Sequence, residues 1–361
     1  MEDGDGPWFN CLDLAYLDVV ELKDVQIFDA PTFGARFNHC RRVSINGGGV
    51  TSPLRTEADA TNRNTDRYHF DGDCIDVVIS DVVMSTGDDA IAINTGEGVA
   101  SDSARFAVSN VVFDDCNTGV RVYGPLVNTR QVTVSNVTGT VHYALLVYGN
   151  QGVGLNSRYA DATNHSVTLS HADVQILEPN AEVVWCGSSG GTLTLNDVKQ
   201  TEPAHATPFL LFGGGYARPE EKWRFNVFDV ALNDCAIYRS PTGAGAAYVL
   251  KMYFGSIGTL TLNNFRVVEQ VGPTYGEIEC LLVIDDGASI DTLIVDGGNY
   301  TGVKKFLNNT TPVEHFGGTG LVATGLQIPA AKTLPGAQFL NADDGGRLYE
   351  NVGGGVYVRL G

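Results

Sequence analysis

The sequence lacks the marks of a helical protein. No long apolar stripe recurs at i, i+3, i+4 anywhere in its 361 residues. No run of 18 apolar residues occurs either, so no membrane-spanning helix is expected. Charge is sparse, at 18%, and positive charge is the minority: 23 Lys and Arg against 42 Asp and Glu, a formal net charge of −19. Such a surface repels phosphate backbones and anionic lipid, so neither nucleic acid nor membrane is expected as a partner. The seven cysteines are odd in number and include no CxxC pair or metal-ligand spacing. They lie in apolar, strand-like contexts and read as buried, reduced space-fillers, with no metal or cofactor implied. The first residues, Met1-Glu2-Asp3-Gly4-Asp5, are acidic and lack the basic-then-apolar order of a secretory signal. They fit either a fragment with an added Met or a mature start.

What the sequence has is glycine, 43 residues of it with no G-X-Y repeat, and a family of short β-branched segments that match one another. One set contains Val77-Val78-Ile79-Ser80, Phe106-Ala107-Val108-Ser109, Val132-Thr133-Val134-Ser135, Val167-Thr168-Leu169-Ser170, Leu193-Thr194-Leu195-Asn196 and Leu260-Thr261-Leu262-Asn263. A second set alternates with it: Ala90-Ile91-Ala92-Ile93, Gly119-Val120-Arg121-Val122, Ala144-Leu145-Leu146-Val147, Val183-Val184-Trp185, Phe209-Leu210-Leu211 and Leu281-Leu282-Val283. Many steps within a set span 25–29 residues, for example from Val77 to Phe106 (29) and from Phe106 to Val132 (26). Matched strands at that period predict an all-β solenoid, a right-handed parallel β-helix with at least two strands per coil and coils about 4.8 Å apart. A β-sandwich would space its strands more closely and would not match them. Asn110 and Asn136 fall at one turn of successive coils, where stacked amides can bond each other. The ladder is expected to run to about residue 300, irregular after Trp223. The expected division is a β-helix over residues 1–318 and a small β-rich cap or oligomerisation element over 319–361, because a bare solenoid end is an aggregation hazard.

Two segments carry candidate chemistry, Asn64-Thr65-Asp66 and Gly87-Asp88-Asp89-Ala90. If Asp66–Phe70 and Asp89–Ile93 are equivalent strands, Asp66 stacks on Asp89. In that register His69, Ala92 and Arg121 form one column, with small Ala92 leaving a gap of about 10 Å between the two basic residues, enough for a sugar ring. Clustered carboxylates cannot all ionise cheaply, so one stays protonated as an acid while another serves as base, the pairing glycoside hydrolysis requires.

The segment from Leu22 to Gly149 resembles the polygalacturonase-type glycoside hydrolases and the wider pectate-lyase-like β-helix superfamily, which includes phage tailspike depolymerases. The phrases that carry the likeness are Asn38-His39-Cys40-Arg41-Arg42-Val43, Asn64-Thr65-Asp66, Gly87-Asp88-Asp89-Ala90-Ile91-Ala92 and Gly119-Val120-Arg121-Val122. The resemblance implies that Asp88 is the general acid, that Asp66 and Asp89 activate water for inversion, and that Arg121 contacts substrate. It also implies a polysaccharide substrate and, through the tailspikes, an extracellular or virion location and a homotrimer. The sequence departs from the family pattern in three places. Arg67 stands where a glycine is usual, Tyr123 replaces a lysine, and no Gly-His-Gly coil separates Asp89 from Arg121.

Asn64, His69, Tyr123 and Glu97 are further candidates for the substrate side, Glu97 as a reserve carboxylate. Tyr123 and Tyr148 read as aromatics in register, beside the groove or at turns. Asp71-Gly72-Asp73 with Asp76 lacks a calcium-loop pattern and reads as an acidic turn. Two other functions stay open on this scaffold. One is a polysaccharide lyase or epimerase, with His69, Tyr123 or Arg121 removing a proton next to a uronate carboxylate. The other is a spike that binds glycan without cleaving it.

Overall fold

The computed structural model describes residues 10–30, 32–51, 65–95, 101–123, 127–148, 166–178, 181–187, 190–201, 208–213, 226–239, 248–253, 255–269, 278–285 and 288–300. It also describes the strands 303–307, 315–317, 321–323, 332–333, 338–341, 347–353 and 356–359. No helix occurs among the described residues, and every strand pair in the main sheet system is parallel, as in a right-handed parallel β-helix. Runs such as Ile75–Asn94, Ser103–Tyr123 and Thr129–Tyr148 each turn two corners, so a coil has three strand stretches, one more than the minimum of two read from the sequence. The extra one is short: Val82–Val83–Met84 pairs with Val111–Val112–Phe113.

The predicted columns are real. Val43, Val77, Phe106, Val132, Val167, Leu193, Val230, Leu260 and Leu293 are in register on successive coils. All are 1% exposed or less. The residue two further on in each strand is also buried, and the one between faces out, the period-2 alternation of a strand with one buried face. Each such aliphatic side chain contributes about 1.5–3 kcal/mol by leaving water. The coils after Trp223 stay in register: Val230 follows Leu193, and Leu293 follows Leu260. The irregularity lies in the connections. Asn110 and Asn136 are 26 residues apart, Asn196 and Asn233 37, and Asp234 and Asn264 30, yet each pair stacks.

One corner shows why the chain turns where it does. Asp24, Gly47, Asp81, Asn110, Asn136, His171, Asp197, Asp234, Asn264 and Gly297 occupy it on successive coils, all with φ between 50° and 70°. Gly, Asn and Asp reach this left-handed region most cheaply. The side chains also bond along the stack. The Asn136 amide donates to Asn110 Oδ1 at 3.2 Å, and the Asn110 amide donates to Asp81 Oδ1 at 3.0 Å.

Six of the cysteines are buried and all seven are free thiols; Cys11 is exposed, unlike the interior role read from its sequence context. Buried thiols cap carbonyls of neighbouring coils, as Cys116 does with Met84 O at 3.2 Å. At the C-terminal end, Leu321–Ala323, Gln338–Asn341, Arg347–Gly353 and Val356–Arg359 form a separate four-stranded sheet with two antiparallel pairings. Lys332–Thr333 instead pairs with the parallel ladder.

Candidate active site

The site is set by three consecutive rungs. Tyr68, His69 and Phe70 pair with Ile91, Ala92 and Ile93, which pair with Val120, Arg121 and Val122. The Arg67 amide donates to the Asp89 carbonyl at 3.1 Å, carrying the ladder back so that Asp66 lies beside Asp89. Just before Asp88 the ladder breaks register, with shifts between Met84, Thr86 and Asp89. Thr86 braces that bend. Its hydroxyl donates to the Thr65 carbonyl at 2.8 Å and accepts from the Asp88 amide at 3.1 Å. The irregular step lets adjacent residues Asp88 and Asp89 both approach Asp66. One carboxylate oxygen from each of the three lies within 4.8 Å of the other two.

Their environments differ. Asp66 is 1% exposed and Asp89 2%, while Asp88 is half-buried. Burial, then the charges of Asp89 and Asp66, push the Asp88 carboxyl well above the usual carboxylate range; Arg121 and a backbone bond from Thr65 pull weakly the other way. Burial also lifts Asp66, to about 6, against the hydrogen bond from His69. Arg121 Nη1 pairs with Asp89 Oδ2 at 3.1 Å, and its guanidinium lies over the Tyr123 ring, 5.0 Å from the centroid. Gly119 permits this placement, since a Cβ there would lie 2.6 Å from the Leu145 carbonyl oxygen. Three carboxylates this close could also grip a cation, but here Arg121 and His69 already hold two of them.

His69 departs from expectation. It is 1% exposed and does not line an open gap: Nδ1 lies 2.7 Å from Asp66 Oδ2 and Nε2 3.1 Å from Asp71 Oδ1. Phe33 stacks on its ring with centroids 4.0 Å apart. The expected sugar space over Ala92 is closed too, because Ala92 is 0% exposed. Direct substrate contact by His69 is therefore replaced by a grip on Asp66. Asp71, read from sequence as part of an acidic turn, is 0% exposed and holds both His69 and Arg36, the latter at 2.8 Å. Strand parity could have found it. Residues 69 and 71 are i, i+2 and share a face, and Arg36 is the register partner of His69. Asp73 and Asp76 do form surface pairs, with His39 and Arg105.

Arg67, at the family's glycine position, is buried and donates Nε–H to the Ser85 carbonyl at 3.0 Å. Tyr148 is not in register with Tyr123. It pairs with Val122, one residue off, and a one-residue offset flips a side chain to the other face, so Tyr148 belongs to the interior. Asn64 and Glu97 lie outside the described residues.

A parallel β-helix that brings three carboxylates together is the kind of scaffold on which a polysaccharide hydrolase can be built. The family comparison agrees: residues 9–120, about a third of the chain and including all three carboxylates, match the family described as glycosyl hydrolases family 28. The chain is a glycoside hydrolase similar to the polygalacturonases. No curated protein and no solved structure matches it significantly.

Proposed function

We propose that this chain cleaves a polysaccharide with Asp88 as general acid and with Asp66 and Asp89 activating the attacking water. The observation that carries the reading is the meeting of three carboxylate oxygens within 4.8 Å on adjacent rungs. Their unequal surroundings support the division of roles. Asp88 is held protonated by burial and by the two neighbouring charges, and can give its proton to the leaving oxygen. Asp89, ion-paired with Arg121, and Asp66, bonded to His69, supply the base side. Arg121, 18% exposed at its side chain, and Tyr123 beside it suit a polar or anionic sugar substituent.

The finer reading is a tailspike-like depolymerase of a bacterial surface glycan, trimeric and virion-borne. Its support is the acidic surface, the β-helix and the separate four-stranded sheet near the C-terminus. The test exposes purified protein to capsular, O-antigen and plant polysaccharides. New reducing ends without an ultraviolet-absorbing unsaturated product, lost in Asp88→Asn, are expected. An unsaturated product would instead establish a lyase, and binding without reducing ends a non-catalytic spike. The anomer first released tests the water-activation step. Inversion is expected, although oxygens this close approach the separation typical of double displacement. A retained anomer would make Asp66 or Asp89 a nucleophile.

A further inference from the structure

We propose that His69 is a positioning residue that sits behind Asp66 as a fixed imidazolium, so that the hydrolytic site is a charge-balanced set: neutral Asp88, ionised Asp66 and Asp89, and the two cations His69 and Arg121. This rests on the carboxylate roles proposed above and adds the location of one proton. The geometry fixes most of that location. Arg36 donates to Asp71 Oδ2 at 2.8 Å, and His69 Nε2 faces Asp71 Oδ1 at 3.1 Å. Asp71 is ion-paired with Arg36, and an ionised carboxylate only accepts, so Nε2 carries the hydrogen of that contact. The other ring nitrogen, Nδ1, lies 2.7 Å from Asp66 Oδ2, too close for two bare lone pairs, so one proton lies between them.

Two features place that proton on the ring. Buried carboxylates flank it on both nitrogens, with side-chain exposures of 1% for Asp66 and 0% for Asp71. The ring also lies against the Phe33 face at 4.0 Å and 15°, where a cation is favoured. The charged groups around the pair come from four successive coils: Arg36 from the strand Ala35–Asn38, Asp71 just after Tyr68–Phe70, Asp88 and Asp89 from Ile75–Asn94, and Arg121 from Ser103–Tyr123. With Asp88 neutral, two carboxylates meet two cations around the reacting atoms, while Asp71 and Arg36 balance each other outside. The consequence is a base that reaches the groove already ionised. Losing His69 should raise the Asp66 pKa, because the His69 hydrogen bond and charge both lower it.

The test uses the full chain labelled with 15N-histidine. Ring-nitrogen shifts are followed from pH 5 to 9, and the His69 signal is assigned by its loss in His69→Gln. At pH 8, where an unperturbed imidazole of pKa about 6.5 is neutral, both His69 nitrogens should still be protonated. A His69 ring that is neutral at pH 8 with one bare nitrogen overturns the proposal, whatever the enzyme cleaves. Arg36→Gln, whose side chain is partly exposed, serves as a second variant: it removes a like charge near the ring and leaves Asp71 unneutralised, so the His69 titration should move to higher pH, and a move to lower pH would count against the proposal. Where a substrate is in hand, the acid limb of the pH–rate profile should move up by about one unit in His69→Gln while the alkaline limb stays. A profile that only scales down would assign His69 a structural role, and an inactive wild type with a protonated His69 would sink the hydrolytic reading alone.

Discussion

Two histidines in this molecule each sit between two carboxylates. His69 lies between Asp66 and Asp71, at 2.7 and 3.1 Å, with all three side chains at most 1% exposed. His142 lies between Asp115 and Glu178, at 2.7 and 3.3 Å, with side chains 24%, 49% and 58% exposed. The contacts are nearly the same; the surroundings are not. On the outer turn, water competes for every bond and screens every charge, so His142 holds two coils together weakly. Beneath the carboxylate cluster the side chains are almost wholly withdrawn from solvent, so proton positions are fixed by neighbours. Burial, rather than residue choice, is what separates these two acid–histidine contacts.

The contrast can be broken or sharpened by substitution. The largest effect belongs to the carboxylate cluster. Asp88→Asn keeps the shape of the site but removes its proton donor, and turnover should fall by about 10³-fold or more, roughly 4 kcal/mol of transition-state stabilisation, with glycan binding retained. Reducing-end assays read the first and equilibrium binding the second. Unchanged turnover would remove the premise that burial creates the acid.

A fully buried acid gives the next effect. Glu182 is 0% exposed and stands in the Asp89 column, above Thr118 and Ala144, three rungs or roughly 14 Å from Asp89. Burial pushes it up to about 8 from the ordinary 4.5. Folding therefore takes up a proton between those values, and its contribution to stability falls as pH rises from about 4.5 through 8. Glu182→Gln removes this dependence. Denaturant unfolding should show the variant gaining on the wild type between pH 5 and pH 9, on the order of a few kcal/mol. Parallel curves would mean that Glu182 is solvated after all.

The smallest effect is expected on the outer turn. His142→Gln should change stability by less than about 1 kcal/mol and leave cleavage within a factor of two. A loss comparable to that of a groove substitution would end the distinction between the two histidines.

Much of this is legible in the sequence. The matched strands specify columns, and the column rule alone places Asp66 on Asp89 and aligns His69, Ala92 and Arg121. What the sequence concealed has local physical causes. The later coils look irregular because connections vary between stacked residues 26 and 37 apart, while the strands that bury the core keep their pairing. Tyr148 looked like a partner of Tyr123 because their spacing is one residue short of the true register, an offset that periodicity does not reveal. The role of His69 was misjudged because exposure depends on the coil beneath it, where Phe33 and Arg36 close the space.

The central claim is that burial, together with the neighbouring carboxylates, raises the Asp88 pKa enough for it to act as the acid, and it can be tested without knowing the sugar. Infrared difference spectra at pH 7 should show carboxylic-acid carbonyl absorption from two groups, one component vanishing in Asp88→Asn and the other in Glu182→Gln. An Asp88→Asn spectrum that overlays the unsubstituted protein in that region would contradict the account.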